Sequence, residues 1–162
     1  MKSRTFTLFT IALFSANCSL VVADDAADQQ IRREKAFSEQ MARSVMIGAF
    51  TVDGKEDDKP LKEERYEIES VVKTGDNYWT FTARVKYGNT DVKLPITVPM
   101  EWAGDTPMVL LTDATLPGLG SAFSARVLFH DGRYAGTWQH GKVGGHMFGR
   151  IEKQKPSESA SE

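Results

Sequence analysis

A period-two alternation of apolar and polar residues runs through most of this chain, from Val45 to Glu152. Such alternation is typical of strands with one buried face. The clearest run extends from Val92 to Trp102, where every second residue is apolar or aromatic. Turn signals such as Asp-Gly, Gly-Asn and proline separate these runs at intervals of about 8–14 residues, and no helical pattern lies between them. The pattern predicts an all-β domain.

Eight runs fit short strands, with approximate bounds 45–53, 63–73, 78–87, 92–102, 108–112, 123–130, 133–139 and 146–152. Because the runs follow one another as hairpins, we predict an antiparallel up-and-down barrel or a strongly curved sheet of about eight strands. Closing eight strands removes the sheet edges and can leave room for one small ligand. In the second run, Ile68 and Val72 are expected on the face opposite Val71. Pro95 and Pro99 cannot donate to a ladder, which predicts an edge strand or a bulge and incomplete closure there.

The N-terminus has the features of a secretory signal peptide. A short basic region precedes an apolar stretch, and small residues end at Ala23. We therefore expect a signal peptide over residues 1–23, a single domain over 24–152 that begins with a helix at about 26–43, and a disordered tail over 153–162. The protein is then secreted or periplasmic. An alternative is a membrane anchor, which the cleavage pattern disfavours.

Composition excludes several classes of function. Cys18, the single cysteine, lies in the expected signal peptide, so the mature chain has neither disulfides nor thiol chemistry. Lysine and arginine are spread along a chain of net charge −2 without a basic stripe, which argues against nucleic-acid binding. The sequence also lacks a polybasic amphipathic helix for a membrane surface, so no stable membrane insertion is expected after signal cleavage.

The stretch from Phe123 to Ile151 contains all three histidines and is the first place to look for a site. Asp131-Gly132 predicts a tight type I′ hairpin turn, because both central residues there need a positive φ. His130 precedes that turn, whereas His140 and His146 flank the next one, at residues 141–145. His140 and His146 could therefore face each other as two metal ligands and need a third. We predict neither a metal site nor a cofactor, with solvated histidines as the simpler interpretation.

Enzymatic mechanisms find little support in the sequence. Ser124 and His130 share a strand face but lie about 20 Å apart, too far for a nucleophile and its base. Glu67 and Glu69 share the outer face of their strand, so we predict that they are solvent-exposed surface residues. Because the chain also lacks a phosphate-binding glycine loop before a helix, we predict no catalytic residue and a protein that is not an enzyme.

Two resemblances follow from these residues. The segments Trp102–Pro107, Gly136-Thr137-Trp138 and Gly144-Gly145-His146 resemble a group of short secreted bacterial proteins of unassigned function. The Gly136-Thr137-Trp138 element is also similar to the Gly-x-Trp element of calycin-type barrels such as lipocalins and avidins. In those families it lies on the first strand, and here it lies near the end. This resemblance implies a barrel that holds a ligand.

Aromatic side chains on the predicted inner strand faces are the candidates for ligand binding. They form either a packed core or the wall of a mostly apolar pocket. The candidate set is Trp79, Tyr87, Trp102, Tyr134 and Trp138, with Arg126 as a reader of carboxylate or phosphate if its register places it inside. The leading hypothesis is an extracytoplasmic, non-catalytic protein that binds a small apolar or amphipathic ligand. The alternatives are a structural or interaction module of the cell envelope and, less favoured, a metal- or haem-dependent protein that uses His140 and His146.

Overall fold

A computed structural model describes residues 18–55 and 60–154; within these ranges the side chains of residues 18–24 and of Tyr87 are not described. The chain divides into two compact units, Met1–Arg32 and Arg33–Glu162. The first unit contains the beginning of a helix. The second contains the end of that helix and all eight strands. The expected signal peptide and C-terminal tail lie largely outside the described residues.

The single helix of the described chain, α1, spans Cys18–Met41. It therefore begins before the predicted start at residue 26 and continues through Ala23, where we expected cleavage. It ends two residues earlier than predicted, because Arg43 adopts a left-handed conformation with φ of 51°. Lys153 donates hydrogen bonds to the carbonyls of Glu39 and Ala42 and so satisfies acceptors at the helix C-terminus. Among the described residues, no helix is both long and apolar enough to cross a membrane.

Eight antiparallel strands form a closed barrel in sequence order, so the predicted all-β fold is confirmed. The strands are β1 Ser44–Phe50, β2 Lys62–Lys73, β3 Tyr78–Tyr87, β4 Thr90–Ala103, β5 Thr106–Leu116, β6 Gly120–His130, β7 Arg133–His140 and β8 Val143–Lys153. Strand β1 closes the barrel by pairing with β2 on one side and β8 on the other. The N-terminal helix precedes this strand directly, so the chain enters the barrel at the end where α1 stops.

The two prolines of β4 lie beside the shortest ladder of the barrel. Pro95 and Pro99 pair with β3, opposite Thr82 and Tyr78, whereas pairing of β4 with β5 runs from Met100 to Ala103. The Met100 N–H donates to the carbonyl of Asn77, the residue before β3, so this N–H faces β3. Because N–H groups alternate sides along a strand, the nitrogens of Pro95 and Pro99 both face β5. Each proline therefore costs no hydrogen bond to β3. The barrel is closed, with its interruption confined to the part of β4 that precedes Met100.

A bulge in β2 corrects the predicted face assignment of this strand. The register between β2 and β3 shifts between Ile68 and Ser70. As a result Val71 is buried at 2 % exposure and Val72 is 53 % exposed, the reverse of the predicted arrangement. An inserted residue reverses the alternation that follows it, because two residues then oppose one on the partner strand.

Two tight turns shape the end of the chain. At the Asp131-Gly132 turn both residues have positive φ, 46° and 68°, as the hairpin prediction requires. The next turn is shorter than predicted: His140 pairs with Val143, which leaves only Gly141 and Lys142 between the strands. Strand β8 therefore begins three residues before the predicted start at His146.

Candidate functional site

The barrel interior contains a cavity of about 590 Å³. Most of its lining is aliphatic or aromatic and comes from seven strands: Met46 and Phe50 of β1, Tyr66 and Ile68 of β2, Phe81, Ala83 and Val85 of β3, Ile96 and Val98 of β4, Val109, Leu111 and Leu116 of β5, Phe123, Ala125, Val127 and Phe129 of β6, and Met147 of β8. Trp138 completes the wall from β7. This volume and lining are within the usual range for small-molecule sites.

The cavity reaches the surface at the end of the barrel opposite the last turns of α1. Its lining there includes Lys55, Lys62 and Val143, all exposed. His140 also lies at this mouth, where its ring stacks on Phe123 with centroids 4.0 Å apart and an interplanar angle of 12°. The mouth is therefore polar and partly aromatic, whereas the interior is apolar.

The other end is filled by the last turns of α1. The Phe37 ring packs against Trp79, Phe81, Trp102 and Phe129 at centroid distances of 5.5–6.4 Å. Because Phe81 and Phe129 also line the cavity, the Phe37 contact forms a layer directly beneath its floor. Such aromatic pairs add to the free energy of burial.

Polar contacts fix the same part of α1 to the strand ends. Glu34 forms an ion pair with Lys73, with N and O 2.7 Å apart. Arg33 donates to the Gly104 carbonyl at 2.7 Å, and its guanidinium lies 5.9 Å from the Trp102 ring centroid. The closed end is therefore held by both aromatic packing and charge-assisted contacts.

One carboxyl group, that of Glu64, lies in the otherwise apolar wall. Its side chain lines the cavity and the residue is 4 % exposed. The Tyr66 hydroxyl donates to Glu64 Oε2, and the Tyr134 hydroxyl donates to Oε1, each at 2.8 Å. Burial raises the pKa of Glu64 above its ordinary value, against a smaller opposite effect of the two tyrosine hydrogen bonds. The pKa of Tyr134 is also raised, by burial first and then by Glu64, so this hydroxyl stays a neutral donor.

Two glycines make the contact between Tyr134 and Glu64 possible. Gly149 and Gly48 lie side by side on β8 and β1, between Tyr134 on β7 and Glu64 on β2. A Cβ atom at Gly149 would lie 2.7 Å from Tyr134 Cε1, and one at Gly48 would meet the Tyr134 hydroxyl still more closely. The tyrosine ring therefore occupies the space that two side chains would need, which is the close approach that strand glycines permit.

The structure separates the sequence-predicted site residues into three groups. Trp138 lines the cavity, and its Nε1 donates to the Thr51 carbonyl at 3.1 Å. Tyr134 is fully buried and contacts the Glu64 carboxylate. Trp79 and Trp102 lie in the aromatic layer around Phe37 rather than on the cavity wall.

The remaining two candidates lie elsewhere. Arg126 is exposed and donates to the Leu111 carbonyl and to Thr112 Oγ1, so the register places it on the outer face of β6. Arg126 was expected to bind a ligand carboxylate or phosphate only if it faced the barrel interior, and it does not. Tyr87 ends β3, but its side chain lies outside the described part of the structure.

Sequence reasoning missed Glu64, although a signal was present. Glu64, Tyr66 and Ile68 are spaced by two on β2, so the alternation places Glu64 on the inner face. A carboxylate on an inner strand face is expensive to bury without partners. The sequence offered both the position and a nearby tyrosine, but Tyr134 is 70 residues away and only the fold brings it to Glu64.

The histidines do not come together. His130 and His140 lie at opposite ends of the β6–β7 hairpin, as expected. However, His140 pairs with Val143 and His146 pairs with Thr137, so the two histidines do not face each other across their turn. The shorter turn is the cause. Within residues 18–55 and 60–154, no group of three or more His, Cys, Asp or Glu residues is placed to hold a metal ion.

A second concave surface, of about 940 Å³, lies on the outer wall of β1, β2 and β8. Four cationic side chains border it, from Arg65, Lys86, Arg133 and Arg150. Phe148, 44 % exposed, contributes apolar surface to the same groove. Each of the four cationic groups forms an ion pair with a carboxylate, and Glu63 also borders the groove, so this outer groove is more polar than the cavity.

Searches against protein-family models, curated proteins and solved structures found no match to this chain.

Proposed function

We propose that this protein is an extracytoplasmic, non-catalytic binding protein that holds a small apolar or amphipathic ligand in its barrel. The observation that carries the proposal is the apolar cavity of about 590 Å³ inside a closed barrel, filled by Phe37 at one end and open at the other. A cavity of this size and lining loses water-exposed apolar surface when a ligand enters, which favours binding.

The architecture also supports the calycin-type resemblance of Gly136-Thr137-Trp138. Eight antiparallel strands in sequence order form the up-and-down barrel used by lipocalins to hold one ligand. In this chain Trp138 of that element lines the cavity. The signal-peptide pattern that ends at Ala23 supports export, and an exported protein meets apolar ligands outside the cytoplasm.

Binding accounts for the cavity better than catalysis does. The Ser124 hydroxyl, which lies in the cavity lining, accepts a hydrogen bond from the Asp113 N–H. His140 stacks on Phe123 at the mouth. These contacts position both groups without pairing a nucleophile with a base, the arrangement that nucleophilic catalysis needs.

Native mass spectrometry of protein purified from its own cell envelope, beside a denatured control, tests the proposal. We expect extra mass that disappears on denaturation. Ala125→Phe should abolish it, because Ala125 lines the cavity and a phenyl ring would fill the ligand space. Ala135→Phe is the matched control, since Ala135 is exposed on the neighbouring strand β7. A ligand-free mass for the unmodified protein, or retention by Ala125→Phe, would contradict the proposal.

The alternative is an interaction module of the cell envelope, and the outer groove is the observation that favours it. An exposed aromatic residue such as Phe148, bordered by arginine side chains, is typical of protein-binding surfaces. If this function is correct, Phe148→Ser should dissociate a native complex in size-exclusion chromatography, and Ala125→Phe should leave the complex intact. The reverse result would favour the cavity.

A further inference from the structure

We infer that the cavity selects ligands with a hydrogen-bond donor, an alcohol or an amine, and that Glu64 accepts that hydrogen bond. This inference rests on the proposed function and specifies the chemistry of its ligand. It follows from the position of one buried carboxyl group in an apolar wall and from the contacts that this group already makes.

Glu64 is the one carboxyl group among the described residues that line the cavity. The Tyr66 hydroxyl also lines the cavity but already donates to Glu64, whereas the side chains of Lys55, Lys62 and His140 lie at the mouth. Glu64 instead lies with Ile68 and Met147 inside the barrel. A ligand that fills the apolar interior therefore meets Glu64 as its principal polar partner.

The hydrogen bonds of Glu64 determine what such a ligand must offer. At pH above its raised pKa, Glu64 is an ionised carboxylate, which only accepts hydrogen bonds and has about four acceptor positions on its two oxygens. Tyr66 and Tyr134 each donate to one oxygen and so use two of these positions. The remaining positions are satisfied only by a further donor. A ligand carboxylate would bring a second negative charge to the same buried place, which is unfavourable.

The mouth of the cavity favours a different ligand head group from the one that Glu64 favours, and this difference makes the inference testable. Lys55 and Lys62 would favour an anionic head group held at the opening, with the apolar chain inside. A head group that binds Glu64 must enter the barrel and must donate a hydrogen bond. The two placements therefore predict opposite rankings for probes that share one alkyl chain.

The experiment compares dodecanol, dodecylamine, dodecyl methyl ether and dodecanoate as competitors of the apolar dye N-phenylnaphthylamine. We expect the alcohol or the amine to bind about tenfold more tightly than the ether and the carboxylate, as one hydrogen bond to a charged acceptor implies. Whether amine or alcohol ranks first identifies a cationic or a neutral ligand. This ranking is measured on the unmodified protein and does not depend on the folding of a variant.

Glu64→Gln then tests the residue itself. We expect the preference for the amine over the ether to fall about tenfold, because a neutral amide is a weaker acceptor for a cation. Glu63→Gln is the control, since Glu63 is the exposed neighbour on the same strand, and it should leave the ranking unchanged.

The outcomes separate the inference from the proposed function. Equal binding of alcohol and ether, or tightest binding of dodecanoate, overturns the role of Glu64 while the cavity remains a binding site. Preferences that survive Glu64→Gln also overturn it. Failure of the dye and of all four probes to bind would refute the binding function itself.

Discussion

Replacing Gly48 by alanine tests the central structural claim, that two strand glycines create the space in which Tyr134 reaches Glu64. A Cβ atom at Gly48 would lie 2.9 Å from the Gly149 Cα, and closer still to the Phe148 carbonyl oxygen and the Tyr134 hydroxyl. Two of these three neighbours are backbone atoms and cannot rotate away. The methyl group is therefore accommodated only by movement of β8 and displacement of the tyrosine ring.

The magnitude follows from the two contacts that must change. Overpacking a well-packed interior costs about 1–3 kcal/mol. Displacing the Tyr134 hydroxyl removes a hydrogen bond to a charged acceptor, worth about 1.5–3 kcal/mol. We therefore expect Gly48→Ala to lower the free energy of unfolding by about 2.5–6 kcal/mol, a large part of the about 5–15 kcal/mol typical of a domain.

Urea denaturation followed by circular dichroism measures this loss. The midpoint should fall while the m-value stays constant, since m reports the surface exposed on unfolding. Gly75→Ala is the matched control, because an added Cβ there meets nothing within 4 Å. It should change stability by less than about 0.5 kcal/mol.

A double-mutant cycle assigns the cost to Tyr134. In a Tyr134→Ala background the space beside Gly48 is empty, so Gly48→Ala should cost less there, by about 0.5–3 kcal/mol. A loss below about 1 kcal/mol for Gly48→Ala alone would refute the argument. Simple addition of the two losses would show that the tyrosine does not depend on the glycine.

Three further predictions follow from other contacts. Because burial raises the pKa of Glu64, its contribution to stability is fully present below its ordinary pKa of 4.5 and is lost as pH rises through the folded-state pKa. Glu64→Gln should remove that fall from urea denaturation curves recorded at rising pH from below 4.5, and the same pH dependence in both proteins would contradict this. Phe37→Ala should cost about 3–5 kcal/mol because it empties the aromatic layer beneath the cavity, whereas Gln40→Ala, exposed on the same helix, should cost almost nothing in the same urea assay. In amide hydrogen exchange followed by NMR, the Lys93 N–H should exchange faster than the Leu94 N–H, because it faces β5 beyond the end of the β4–β5 ladder. Equal protection of the two amides would show that other contacts protect this part of β4.

The sequence predicted the fold because its information was local. Alternation within each run and turn residues between runs are short-range signals, and each of the eight strands overlaps the run that predicted it, although β5 continues to Leu116, four residues beyond its predicted end. Errors arose where the number of residues in a strand or turn differed from the predicted number. The bulge after Ile68 reversed the faces of Val71 and Val72, and the two-residue turn before Val143 moved His146 away from His140.

The candidate site was harder to predict because it depends on contacts between distant strands. Trp138 was found on the wall, since its face followed from alternation around an aromatic residue. The roles of Trp79 and Trp102 depend on where α1 ends, which places Phe37 among them. Alternation cannot specify how deep in a barrel a residue lies, and depth separates the aromatic layer from the cavity.

The Glu64 cluster connects the stability of the barrel to its proposed function. A carboxyl group buried in an apolar wall costs free energy unless its hydrogen bonds offset the loss of water. If Glu64 served only to anchor two tyrosines, Gln with Phe at the tyrosine positions would replace the cluster at little cost and with no effect on ligand choice. The structure places the carboxyl group on the cavity wall with acceptor positions beyond those used by Tyr66 and Tyr134. A purely structural cluster predicts that Glu64→Gln changes stability alone, whereas a binding cluster predicts that the head-group ranking changes as well. Measuring both quantities on the same Glu64→Gln protein distinguishes the two roles.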